Sequence, residues 1–126
     1  MAEPIGKRRW AIAEGFIPSE SVDPVDPALV SHEDACLLNT SSEDAHIEIT
    51  LFFEDRDPIG PYKIVLGARR TKHLRFNNLD DPERVPRDTS YASLIESSVP
   101  IVVQHSRLDS RNPNIALLTT IAFAAD

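Results

Sequence analysis

Hydrophobic and polar residues alternate one for one along residues 46–54: Ile47, Ile49, Leu51 and Phe53 share one face, and His46, Glu48, Thr50 and Glu54 share the other. A period of two residues is that of a half-buried β-strand. Phe52 is the one apolar residue on the polar face. The turn chemistry of Asp57-Pro58-Ile59-Gly60-Pro61 reverses the chain, and residues 62–66 read as the returning strand. A second turn at residues 67–70 leads to a strand over 72–76, where Leu74 and Phe76 oppose His73 and Arg75. Further strands are predicted over residues 10–13, 29–38, 101–107 and 115–123. Residues 91–95 fit either a strand or one helical turn, and Pro100 reads as the start of the strand that follows.

Ten prolines punctuate the chain. Proline ends helices and sits poorly in central strands, so it marks connections. Residues 22–27, Val-Asp-Pro-Val-Asp-Pro, are the best candidate for a flexible loop, and residues 77–86 form a polar one. The connections are too short for parallel crossovers. The pattern therefore predicts an all-β fold, an antiparallel two-layer β-sandwich of seven or eight short strands, as a single domain over residues 1–126.

Composition narrows the class. Hydrophobic residues make up 41% of the chain and charged residues 26%, a balance that suits a folded, soluble domain. No apolar run is long enough to cross a bilayer, and the basic N-terminus lacks the apolar core of a signal peptide. Cys36 is the only cysteine, so no intrachain disulfide forms, which suits a cytoplasmic location. The net charge of −7 argues against nucleic acid as a partner, since phosphate binding rests on cationic surface. The clusters Lys7-Arg8-Arg9 and Arg69-Arg70-Thr71-Lys72 are short and fit solvated surface.

Two His-x-Arg steps carry the candidate chemistry, His73-Leu74-Arg75 and His105-Ser106-Arg107. Residues two apart share a strand face, so each step sets an imidazole beside a guanidinium. Ile101 and Val103 lie on the face of His105 and Arg107, so that face passes from apolar to polar along one strand. Arginine suits bidentate recognition of carboxylate or phosphate, and histidine adds hydrogen bonds. The alternative is an exposed face with ordinary salt bridges. Trp10 is either a core anchor or the wall of a pocket. Glu14 and Glu33 can accept from ligand hydroxyls or pair with the arginines, and His32 and Glu33 begin a strand after a loop. In the loop after the second step, Asp109 either fixes an Asx-turn or rims a pocket. A metal would need His32, Glu33, His73 and His105 to converge from separate strands without any short-range ligand pair, and no metal or cofactor is expected. Cys36 lies among apolar neighbours as a buried thiol, and no GxSxG or phosphate-binding glycine loop occurs.

The runs WAIAEGFIP, SHEDACLLNT, EDAHIEITLFFEDRDPIGPY, ARRTKHLRFNNL and VPIVVQHSRLDSR resemble those of the sensory rhodopsin transducer family, over residues 5 to about 124. The resemblance implies a small β-sandwich that assembles as a homotetramer, without enzymatic activity. It also implies a membrane-embedded sensory rhodopsin or other receptor, or a small sugar-like or anionic ligand, as what is recognised. The motifs that look family-like hold Trp10, Glu14, His32, Glu33, Arg70, His73, Arg75, His105, Arg107, Asp109 and Arg111, which are the candidate ligand-binding residues. In that picture Arg75 and Arg107 grip an acidic group, His73 and His105 orient it, Glu14 and Glu33 take hydroxyls and Trp10 supplies an apolar wall. The stretches at residues 19–27 and 83–87 look individual to this chain. Metal-dependent chemistry on a sugar-like substrate, or a ligand-free protein adaptor, are the alternatives.

Overall fold

The computed structural model describes residues 3–126. Eight strands form there: β1 (Lys7–Gly15), β2 (His32–Asn39), β3 (Ala45–Phe53), β4 (Ile59–Leu66), β5 (Arg70–Arg75), β6 (Tyr91–Asp109), β7 (Ala116–Ile121) and β8 (Phe123–Ala124). Every pairing is antiparallel. The first sheet runs β4-β3-β6-β1-β8, and the second runs β5-β2-β6-β7. The fold is thus an all-β sandwich whose two layers share one strand.

That strand is β6, and it departs from the sequence expectation. Residues 91–95 and 101–107 belong to one 19-residue strand, with Pro100 inside it. The proline is tolerated because it falls where the strand changes partners. The ladder to β3 ends at Ser97, and the ladder to β2 begins at Val102. The register with β1 also slips across this stretch, between Lys7 and Arg9. A missing N–H there removes no ladder hydrogen bond with β2 or β3. Parity survives the passage: Tyr91, Ser93, Ile95, Val99, Ile101, Val103 and His105 are all buried.

Chain entry and exit reinforce the bend. Gly6, at φ +108°, lies so close to β6 that a Cβ would fall 1.9 Å from the Ile101 carbonyl oxygen, so only glycine fits. The Trp10 indole N–H donates to the carbonyls of Lys7 and Ile101 at 3.0 and 3.1 Å. The strand expected over residues 115–123 divides at buried Ala122, whose N–H donates to Val103. β7 stays on the second sheet and β8 joins β1 on the first. The strand expected from residue 29 begins instead at His32. Residues 22–30 form polar turns in which the Asp23 and Asp26 carboxylates accept from backbone N–H groups two or three residues on.

The core lies between the layers. Trp10, Ile12, Ile47, Ile49, Leu51, Tyr62 and Ile95 of the first sheet pack with Ala35, Leu37, Leu74, Ile101 and Val103 of the second. The predicted inner face of β3 holds, and Phe52 is exposed as its parity requires.

Candidate functional site

β6 bends near Pro100, and its two ends carry polar residues on the inner face. The interior is therefore apolar toward the bend and polar at the far end, where Tyr91, Glu33, His105 and Arg107 lie. Glu33 is 1% exposed and fully engaged. Its Oε1 accepts from His105 Nε2 at 2.8 Å. Its Oε2 accepts from Arg107 Nε and, at 3.3 Å, from the Phe16 N–H. Because a carboxylate only accepts, the His105 proton sits on Nε2. Arg107 Nη2 continues to Glu14 Oε1 at 3.1 Å, and Glu14 reaches solvent. Burial pulls the Arg107 guanidinium down, but the hydrogen bonds and charges of Glu33 and Glu14 outweigh it and hold the group above its ordinary value. Burial first, then the charge of Glu33, pushes the Tyr91 phenol well above its usual range, and among the described residues its buried hydroxyl has no hydrogen-bond partner.

The other His-x-Arg step lies elsewhere. Register pairs Glu33 with Arg107 but Asp34 with Arg75 and Cys36 with His73. Strand parity then turns His73 and Arg75 to the outer face of the second sheet, while His105 and Arg107 face inward. The expected convergence of the two steps on one hollow is overturned. Their sequence spacing is the same; their partners on β2 differ by one residue, and one residue of register inverts the face.

On the outer face Arg75 meets His32 and Asp34. His32 Nδ1–H donates to the Val30 carbonyl at 2.6 Å, which leaves Nε2 to accept from Arg75 Nη2 at 3.4 Å. Arg75 Nη1 donates to the Pro27 carbonyl, and its Nε lies 3.8 Å from Asp34 Oδ1, a buried atom that accepts no hydrogen bond from the described residues. Beside this cluster is a hollow of about 340 Å³ lined by His32, Ser106, Arg107, Leu108, Leu117, Leu118 and Thr119. Asp34, Ser106, Leu117 and Thr119 were missed by sequence reasoning. The signal for the first two was their alternation with His32 and Arg107 on strands already recognised.

The remaining candidates separate. Trp10 is buried in the core with its N–H satisfied, so it is an anchor and not a pocket wall. Arg70 is exposed at the start of β5 and donates to the nearby carbonyls of Ala68 and Arg69. Asp109 accepts from Arg111 at 2.6 Å, and Arg111 lies over the Phe16 ring. Hydrogen bonding to Arg111 holds the Asp109 carboxyl below its ordinary value despite some burial. His32, Glu33, His73 and His105 are divided between the two faces, and among the described residues no three His, Cys, Asp or Glu side chains gather as a metal site needs. Cys36 is half-buried on the outer face, with its Sγ 3.8 Å from Ser106 Oγ, and not enclosed in the core.

The fold is a two-layer β-sandwich with a shared strand, a buried ion-pair cluster at one end and an open face of mixed polar and apolar residues outside. The family model of the Anabaena sensory rhodopsin transducer matches residues 5–124, and the chain belongs to that family. Among solved structures, the Anabaena sensory rhodopsin transducer is 54% identical, over 82% of this chain and 99% of the other, with a TM-score of 0.75. A Thermotoga maritima structure titled "Crystal Structure of Thermotoga maritima 1070" is 36% identical, over 94% of this chain and 95% of the other, with a TM-score of 0.83. No curated protein matches.

Proposed function

We propose that this chain is a non-enzymatic cytoplasmic transducer that works by recognition, assembling as a homotetramer and reporting the presence of a ligand or a membrane receptor such as a sensory rhodopsin. The observation that carries it is β7. All six residues of this strand are exposed, among them Leu117 at 74% and Ile121 at 60%. Among the described residues β7 pairs only with β6. An apolar edge strand left open in this way invites pairing or packing with another chain. Light scattering on the purified protein tests it. The expected result is a tetramer that Leu117→Glu with Ile121→Glu converts to folded monomers; a wild-type monomer at tens of micromolar overturns the assembly.

The ligand half rests on the hollow beside β7. Its volume of about 340 Å³ falls at the small end of small-molecule sites. His32, Ser106 and Thr119 supply polar contacts, Leu108 and Leu117 an apolar wall, and Arg75 a cation held nearby. That combination suits a sugar-like or acidic ligand of modest size. Arg107 lines it, but its guanidinium is held by Glu33 and Glu14. Because Leu117 belongs to both the hollow and the open edge, ligand and assembly are linked. Calorimetry with sugars, sugar acids and phosphates should give saturable binding that His32→Ala weakens; no binder in these classes sinks the ligand half alone.

A further inference from the structure

The first sheet has an outer face that neither the bend nor the ion-pair cluster uses. Its register sets Thr50, Leu94, Ala11 and Phe123 in one row across β3, β6, β1 and β8. The next row holds Phe52 and Ala92, with Ala13 beside them on β1. Ala13 and Ala92 thus floor a shallow trough beside Phe52, which is 43% exposed, while Phe123, 72% exposed, stands one row away beyond Ala11. Exposed large aromatics around small residues leave room for an incoming side chain, and a hollow of about 230 Å³ opens there, lined by Ala13, Glu14, Phe52, Glu54 and Ala92.

The rim at that end is acidic. Glu54, Asp55 and Asp88 border an adjoining hollow, and the one cation among them, Arg56, is tied to Asp55 at 3.0 Å. Glu14 reaches solvent with only one of its oxygens held by Arg107. Hydrogen bonds to Arg56 and to Ser19 hold the carboxyls of Asp55 and Asp88 below their ordinary values, so both stay ionised at neutral pH. We propose that this trough docks a short basic amphipathic segment of another protein, one apolar side chain entering over Ala13 and Ala92 and Lys or Arg residues meeting Glu14, Glu54, Asp55 and Asp88. A second copy docking symmetrically would bring this acidic rim against itself, which like charges oppose. The inference rests on the receptor half of the proposed function and gives it a surface, since the cytoplasmic ends of membrane proteins are rich in Lys and Arg.

Fluorescence anisotropy with a labelled Leu/Lys amphipathic peptide tests it, alongside a Leu/Glu peptide of the same pattern. Wild-type protein should bind the Leu/Lys peptide, more weakly as salt rises, and should ignore the Leu/Glu peptide. Ala92→Gln, which fills the trough without adding charge, and Glu54→Lys with Asp55→Lys should each weaken binding at least tenfold. Lys72→Ala, at an exposed position on β5 of the second sheet, should leave it unchanged. Absence of binding, equal binding by the trough variants, or an equal loss in Lys72→Ala overturns the trough. The same proteins are then offered detergent-solubilised sensory rhodopsin. Capture that survives the trough variants overturns the trough and keeps the receptor reading, whereas peptide binding without receptor capture keeps the trough and removes the rhodopsin.

Discussion

At the scale of single residues, Glu33 decides most. A buried carboxylate persists only when its lone pairs are filled, and here His105, Arg107 and the Phe16 N–H fill them. Glu33→Gln leaves the half-buried Arg107 with Glu14 alone, so chemical denaturation should show a loss of about 3 kcal/mol. Glu14→Gln, at an exposed position, should cost under about 1 kcal/mol. Equal losses would mean that the cluster is solvated and not a structural pin. Tyr62 makes a separate, pH-dependent contribution. Its hydroxyl donates to the Glu83 carbonyl at 2.7 Å, and burial, with Glu83, pushes its phenol up from 10.0 to about 12. An acid whose pKa is raised by folding favours the folded state while it stays protonated. That stability is complete below pH 10 and is lost as pH climbs toward 12, an amount on the order of 2 kcal/mol. Urea titrations between pH 9 and about 12 should therefore slope downward, less steeply in Tyr62→Phe. Tyr91 keeps the variant's slope from vanishing, since its phenol is raised further still.

At the scale of elements, β6 explains both what the sequence disclosed and what it hid. Short strands with one apolar face, such as β3, are legible because burial follows parity and nothing else intrudes. Pro100 made β6 look like two elements, yet the buried positions keep odd parity from Tyr91 through His105. The polar cluster was half legible: the passage of Ile101, Val103, His105 and Arg107 from apolar to polar marked a strand leaving the core. The place of His73 and Arg75 was not legible, because which face a residue joins depends on the register with β2, and register is a property of the pair. The Asn39 side chain, which donates to the carbonyls of Glu43, Leu66 and Gly67, was not legible because folding alone brings the β2–β3 and β4–β5 connections together around it. The bend itself can be tested at Gly6. A Cβ there collides with the Ile101 carbonyl, the same oxygen that receives the Trp10 indole N–H. Gly6→Ala should shift Trp10 emission toward longer wavelength and cost at least about 2 kcal/mol. An unchanged spectrum and midpoint would show that the N-terminal arm is free to move away from β6.

At the scale of the whole molecule, attraction and repulsion act on the same assembly. Leu117 and Ile121 offer apolar surface that a neighbouring copy would remove from water. Every copy also brings a net charge of −7, which opposes association until salt screens it. Two dependences follow together. If the oligomer is the folded state at working concentration, its melting temperature rises with protein concentration, roughly 5–10 °C over a hundredfold range for a chain of this size. Raising NaCl from about 20 to about 300 mM shortens the Debye length from roughly 20 to 6 Å and should shift the midpoint of assembly to lower protein concentration. Leu117→Glu with Ile121→Glu should abolish the first dependence, because it removes the surface that mass action works through. A melting temperature indifferent to concentration in the wild-type chain would mean that β7 is open in solution, and its apolar residues would then have to answer to a different partner.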